Sequence, residues 1–197
     1  MSTILVVRKN ATACIAADTL ISFDGRRLEA RYSRSSEKII RFGDCYIGAA
    51  GSAAHYPVLA SVAAKTHSAP PLNTTAEIFE WARSLHATLK ETYYLNPRDE
   101  IADPYESSQM DMLIASPGGI FGVLTLREVY EYDRYWAIGS GALIAMGAMY
   151  EAYDRHPTAE DIARAGMAAA AEFDEGTGLP MSIYSITSAR TDGPQVP

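Results

Sequence analysis

The sequence predicts an α+β fold of four layers, αββα, in which two stacked antiparallel sheets are flanked by helix pairs. Three observations predict it. Strand-like apolar runs come in two blocks, each followed by two helical stretches, and a last strand closes the order. The runs within a block are joined by short turns such as Gly43-Asp44 and Pro117-Gly118-Gly119. No internal repeat divides the chain, and 197 residues suffice for one well-buried core, so one domain is expected over residues 1–190.

Taken in order, Thr3 to Arg8 and Thr12 to Asp18 are β-rich runs around the turn Lys9-Asn10-Ala11. Ser22 to Glu37 is polar, with a turn signal at Asp24-Gly25. Its arginines 26, 27, 31 and 34 read as a solvated loop, with a subunit contact as the alternative. Two strands follow, Lys38 to Arg41 and Cys45 to Ala49. Gly51-Ser52 then opens an Ala-rich helix to about His67, and Pro70-Pro71 breaks it. Asn73-Thr74-Thr75 with Glu77 reads as the start of a second helix, along which Ile78, Trp81, Ala82, Leu85 and Leu89 recur at helical spacing. The polar stretch Asn96 to Ser108 reads as an exposed loop. Met110 to Ala115, Ile120 to Leu126 and Glu128 to Tyr132 read as strands. Ile138-Gly139-Ser140-Gly141 introduces a helix from Leu143 to Tyr153, and His156-Pro157-Thr158 enters another that ends near Phe173. Met181 to Thr187 is the last strand, and residues 191–197 read as a flexible tail.

Composition excludes several functions. A net charge of -7 argues against nucleic acid as a partner. No apolar run is long enough to cross a bilayer, and no basic-then-apolar signal peptide opens the chain. Cys14 and Cys45 sit in strand-like runs and read as buried free thiols of a reducing cytosol. The four histidines, at 55, 67, 86 and 156, show no metal-ligand spacing and read as solvated or helix-face residues. Neither a Cys-x-x-Cys, an HExxH, a phosphate-cradling glycine loop nor a Gly-x-Ser-x-Gly elbow is present, so no metal and no cofactor is expected.

The chemistry points to the first residues. Ser2 follows the initiator Met, and a Met before Ser is readily trimmed. That would give one residue both a hydroxyl and an α-amine, which titrates near pH ~8 and can take the hydroxyl proton. Such a residue is nucleophile and base at once, as a self-contained hydrolase requires.

Six segments in this order resemble the proteasome β-subunit family of N-terminal-nucleophile hydrolases. Ser2-Thr3-Ile4-Leu5-Val6-Val7 resembles the mature family start. Ala16-Ala17-Asp18-Thr19 resembles its Ala-Ala-Asp-Ser/Thr segment, and Lys38-Ile39-Ile40 the strand that carries its active-site lysine. Ala49-Ala50-Gly51-Ser52 resembles its strand-to-helix glycine turn. Ile138 to Gly141 and Asp174 to Gly178 resemble its two late motifs. The chain is more like bacterial heat-shock (HslV-type) peptidases and bacterial proteasome homologues than a eukaryotic β-subunit. It departs from the family in having Ser2 for the usual Thr, Thr177 for Ser, and about four extra residues between Asp18 and Lys38.

The resemblance implies a threonine-protease-type endopeptidase with Ser2 as nucleophile. Lys38 would be the cation beside it, Asp18 that cation's partner, and Gly51 the oxyanion-hole donor. Ser140, Asp174 and Thr177 would bond the nucleophile's amine and surroundings. Ile21, Ala49 and Ala53 would border the substrate pocket, with room for a bulky apolar side chain. It further implies a cytoplasmic homo-oligomer of stacked rings, with an ATP-dependent unfoldase or activator cap admitting folded substrates and no membrane partner. On residue type alone Asp18 simply ends a strand, Lys38 begins one, and the glycines are turn and cap residues. A small-amide hydrolase and a non-catalytic ring scaffold are the rival functions.

Overall fold

The computed structural model of the chain describes residues 2–23, 25–97 and 103–189. Asp24, Met1 and the expected tail at 191–197 lie outside the described residues. The elements begin with β1 (Thr3–Lys9), β2 (Thr12–Asp18), the short hairpin β3 (Ile21–Phe23) and β4 (Arg26–Leu28), then β5 (Ile39–Phe42) and β6 (Cys45–Gly51). Helices α1 (His55–Lys65) and α2 (Thr75–Tyr93) follow, then β7 (Met110–Ser116), β8 (Gly119–Val123), β9 (Val129–Tyr132) and β10 (Tyr135–Gly139). Helices α3 (Ala142–Tyr153) and α4 (Ala159–Phe173) precede β11 (Met181–Thr187).

One sheet runs β10-β1-β2-β11 and the other β5-β6-β7-β8-β9, and every pairing in both is antiparallel. The two-residue period of a strand explains why β1 and β2 are apolar throughout. Ile4, Val6, Ala13, Ile15 and Ala17 turn toward the other sheet and pack with Ile39, Leu113, Ala115 and Ile120. Leu5, Val7, Cys14 and Ala16 turn the other way, onto Ala145, Met149, Ile162, Ala163, Met167 and Ala170 of α3 and α4. The second sheet packs its outer face on α1 and α2, where Ile47, Met112, Ile114 and Phe121 meet Leu59, Ile78, Trp81, Leu85 and Leu89. The layers are therefore helices, sheet, sheet, helices, as the apolar periodicity predicts.

Local chemistry sets the ends of the helices. The Thr74 hydroxyl accepts from the N–H of Glu77 (3.3 Å), and the Glu77 carboxylate accepts from the N–H of Asn73 (3.0 Å), so a capping pair opens α2. Thr158 caps α4 by accepting from the Asp161 N–H at 3.1 Å.

Four expectations change. The polar stretch after Ile21 is not all loop: it holds the β3–β4 hairpin and a 3-10 turn at Ala30–Tyr32. The exposed arginines of β4 hide any apolar alternation. The first helix starts at His55 rather than Gly51, because Ser52 to Ala54 form a turn closed by the His55 N–H on the Ser52 carbonyl (3.0 Å). β8 ends at Val123, where a turn carries the Arg127 N–H to the Leu124 carbonyl (2.8 Å). Finally, β10 is a strand that the glycines at 139 and 141 masked.

Candidate active site

The site is assembled where the two sheets meet at the start of β1. β1 is a central strand, paired with β10 from Thr3↔Gly139 and with β2 from Ile4↔Ala17. Ser2 therefore leaves the sheet from a backbone fixed on both sides. The Ser140 N–H donates to the Ser2 carbonyl at 2.9 Å. Gly139 has φ +94°, and a Cβ there would lie 1.9 Å from the Ser2 carbonyl oxygen, so only glycine lets β10 pass this close.

Asp18, at the end of β2, is fully buried and accepts four hydrogen bonds. Its Oδ1 takes the N–H of Thr3 (2.9 Å) and Nζ of Lys38 (2.7 Å), and its Oδ2 takes the N–H of Leu20 (3.0 Å) and of Gly178 (3.2 Å). Lys38, just before β5, completes its contacts on the Leu20 carbonyl (2.7 Å), and its side chain is 12% exposed. Burial pushes the Lys38 ammonium below the usual lysine range, and the Asp18 carboxylate pushes back against that fall. One carboxylate thus ties together β1, β2, the turn after α4 and the Lys38 side chain.

A second network lies behind it. Ser140 Oγ donates to Asp174 Oδ2 (2.7 Å), and so does Thr177 Oγ1 (2.5 Å). The Thr177 hydroxyl spends its one hydrogen there, so Thr3 Oγ1 donates to Thr177 across 2.6 Å while accepting from the Gly141 N–H at 3.1 Å. Thr3 is thereby held at both backbone and side chain, and it aims Ser2.

Gly51 ends β6 with φ +154°, and a Cβ there would come within 2.9 Å of the Gln109 carbonyl and 3.2 Å of the His55 ring. The β5 pairing of β6 stops at Gly48, so Ala49 to Gly51 run on past β5. They open onto a cavity of about 550 Å³ lined by Ser2, Ile21, Lys38, Ala49, Gly51 and Ala53 among others. A larger hollow of about 730 Å³ beside α1 and α2, lined by Phe42, Pro70, Trp81 and Leu85, contains none of the expected site residues.

Of the residues expected from sequence, Ser2, Lys38, Gly51, Ile21, Ala49 and Ala53 thus share one cavity. Asp18 supports it from beneath, and Ser140, Asp174 and Thr177 form the adjoining network. Sequence reading missed Thr3, Gly139, the Leu20 carbonyl and Glu37, which lines the same cavity and accepts from the Lys38 N–H at 2.9 Å. Gly139 reads as part of a helix entry, so the close approach of β10 to Ser2 that requires it leaves no separate mark. The others act through contacts between residues distant in sequence. His86, read as solvated or on a helix face, is 8% exposed and sits in a separate polar cluster. Among the described residues no group of three or more His, Cys, Asp or Glu side chains could hold a metal ion.

No protein-family model matches the chain. Among curated proteins, a proteasome subunit beta of Nanoarchaeum equitans (strain Kin4-M) is 28% identical over 203 residues, covering 95% of this chain and 93% of that one. Among solved structures, Thiobacillus denitrificans BPH in complex with epoxomicin is 44% identical with a TM-score of 0.88, covering 95% of this chain and 100% of that one. A second structure of Thiobacillus denitrificans BPH gives 44% and 0.87, with 98% and 100% covered. HslV from Trypanosoma brucei, 21% identical with a TM-score of 0.61 over 93% of this chain and 98% of its own, shares the fold. The match to a proteasome subunit beta along nearly its whole length, the 44% identity and TM-score of 0.88 to a structure covered in full, and the fold shared with HslV agree: the chain belongs to the proteasome β-subunit family.

Proposed function

We propose that the protein is a proteasome-type peptidase that cleaves peptide bonds with Ser2 as an N-terminal nucleophile, exposed when Met1 is removed. The observation that carries this reading is the single cavity shared by Ser2, Lys38 and Gly51, with Lys38 paired to a fully buried carboxylate.

Ser2 Oγ attacks the scissile carbonyl carbon while its proton passes to the α-amine freed by Met1 removal. The charged form of Lys38 favours the developing alkoxide, and Asp18 holds that cation in place. Negative charge gathers on the carbonyl oxygen, where the Gly51 N–H is the donor; losing one such donor typically costs ~2.7–4 kcal/mol of barrier. The C–N bond then breaks, the leaving amine takes the stored proton, and an ester to Ser2 remains. Water then gives one proton to the Ser2 α-amine and attacks the ester carbonyl; the C–Oγ bond breaks, the acid product leaves, and Oγ takes that proton back. Ser140, Asp174 and Thr177 hold the backbone around that amine.

A peptide fits better than a small amide, because β6 runs past its β5 partner and an extended chain can lie along that edge. Titration of the cavity by side-chain size would show whether it takes a bulky apolar residue against Ala49 and Ala53. The family membership supports stacked rings of this chain, with a regulator admitting folded proteins. Cys14 and Cys45 are free and buried, and burial raises their thiols to about 12 and about 11, which suits a cytoplasmic setting. No helix among the described residues is long and apolar enough to cross a membrane.

The test is intact mass before and after treatment with a peptide epoxyketone, a trap for N-terminal nucleophiles. The expected result is loss of Met1 plus one covalent adduct, absent in Ser2→Ala. A retained Met1 with no adduct supports the scaffold reading instead.

A further inference from the structure

Glu37 precedes Lys38 and lines the same cavity, yet it has no role in the chemistry above. Its side chain is anchored at both oxygens. Oε1 accepts from the N–H of Lys38 and from the N–H of Ile39, each at 2.9 Å. Oε2 accepts from the Ser182 hydroxyl at 2.8 Å and the Tyr184 hydroxyl at 2.9 Å. A carboxylate offers about four lone-pair sites, so four donors fill it. That leaves no acceptor for a substrate cation, and Glu37 acts through what it holds.

What it holds is the start of β5, at the edge of one sheet, against β11, at the edge of the other. Tyr184 is itself fixed, stacked on Tyr46 of β6 with ring centroids 4.6 Å apart. Ser182 and Met181 pair with Ala17 and Asp18. The carboxylate that fixes the Lys38 backbone is therefore braced on the strand beside the carboxylate that fixes its ammonium.

We infer that Glu37 is a positioning residue: it clips the start of β5 to β11, so that Lys38 enters the cavity at the depth where Nζ meets Asp18 and the Leu20 carbonyl beside Ser2. This rests on the peptidase reading, since only there does the depth of Lys38 matter to rate. The segment from Asp18 to Lys38 is long and largely polar, and the clip gives it a fixed end.

The experiment compares wild type, Glu37→Ala, Glu37→Gln and the double variant Ser182→Ala/Tyr184→Phe. A fluorogenic peptide reads kcat and KM, and thermal melting reads stability. Misplacing a reacting group by about 1 Å can cost on the order of a hundredfold. Glu37→Ala is accordingly expected to lower kcat by tenfold to a hundredfold (roughly, on that scale) with KM within about threefold. Glu37→Gln keeps one oxygen for the two N–H groups, and its amide can donate to hydroxyls that rotate to accept, so it should restore most of kcat. The double variant frees the β11 end of the clip and should fall between Ala and wild type. It carries the test if Glu37→Ala does not fold.

An unchanged kcat in a folded Glu37→Ala, or in the double variant, overturns the inference. So does a Gln variant that melts like wild type but stays as slow as Ala, because charge rather than position would then be at work. A wild type inert to both peptide and epoxyketone instead overturns the peptidase reading.

Discussion

Asp18 and Glu106 are carboxylates each paired with a lysine, Lys38 and Lys90, and they differ in almost everything else. Glu106 bonds Lys90 Nζ through Oε1 (2.5 Å) and His86 Nε2 through Oε2 (3.2 Å), and the other nitrogen of His86 meets Ser108 Oγ at 2.9 Å. Arg127 donates to the Glu106 carbonyl at 2.6 Å. The trio Ser108, His86 and Glu106 has the residue types of a hydrolase triad. However, Ser108 is 4% exposed, so no substrate carbonyl can reach its hydroxyl, while the Glu106 side chain is 40% exposed. Around Asp18 the carboxylate is wholly buried, three of its four donors are backbone N–H groups, and Ser2, next to Thr3, lines a cavity. Residue types make the two clusters look alike; access and main-chain fixation separate them.

The largest expected effect on that comparison comes from Asp18→Asn. It removes the charge that balances buried Lys38 and turns two acceptor sites into donors facing N–H groups. Breaking a buried pair from one side typically costs ~3–5 kcal/mol, readable as a lower denaturation midpoint in urea. A loss well under that range would mean that Lys38 readily sheds its proton or that water enters.

Ser108→Ala tests the other side. Removing this buried hydroxyl leaves one nitrogen of His86 without a partner, which should cost ~1–3 kcal/mol in stability. Peptide turnover and epoxyketone labelling should match wild type. Lost turnover in a folded Ser108→Ala would erase the distinction between the two clusters.

Glu106→Gln should show the smallest effect, and a pH-dependent one. Hydrogen bonds from Lys90 first, then His86, hold the Glu106 carboxyl below the usual glutamate range. A depressed acid contributes stability in full above its unfolded value, near pH ~4.3, and loses it as pH falls through the folded value. The melting temperatures of wild type and Glu106→Gln should therefore differ slightly at neutral pH and converge in acid. Added salt should shrink the neutral-pH difference, since the carboxylate is solvent-exposed.

Much of the fold was legible because burial leaves a period in the sequence. β1, β2 and β11 show as apolar runs bounded by turns, and α2 and α4 show a repeating buried stripe with a Thr cap. β3, β4 and β10 were not legible, for two reasons. Arg26 and Arg27 are exposed on β4, so no alternation betrays it. The glycines at 139 and 141 are there for the approach of Ser2 and Thr3, but they read as a helix entry. Within the site, Ser2, Asp18, Lys38 and Gly51 could be picked out through short motifs around each. Thr3 and Glu37 could not, as they work by hydrogen bonds to Thr177, Gly141, Ser182 and Tyr184, more than a hundred residues away. Such partners leave no mark on the neighbouring sequence.

The central position of β1 has a practical consequence for producing the protein. The strand is bonded along both edges up to Thr3, and Ser2 already borders the cavity. Anything fused ahead of Ser2 begins at that cavity and, on the mechanism proposed above, also caps the amine that would take the Ser2 proton. On that mechanism an affinity tag for purification belongs at the other terminus, and a leading tag has to be cut off flush with Ser2 for peptidase activity to appear.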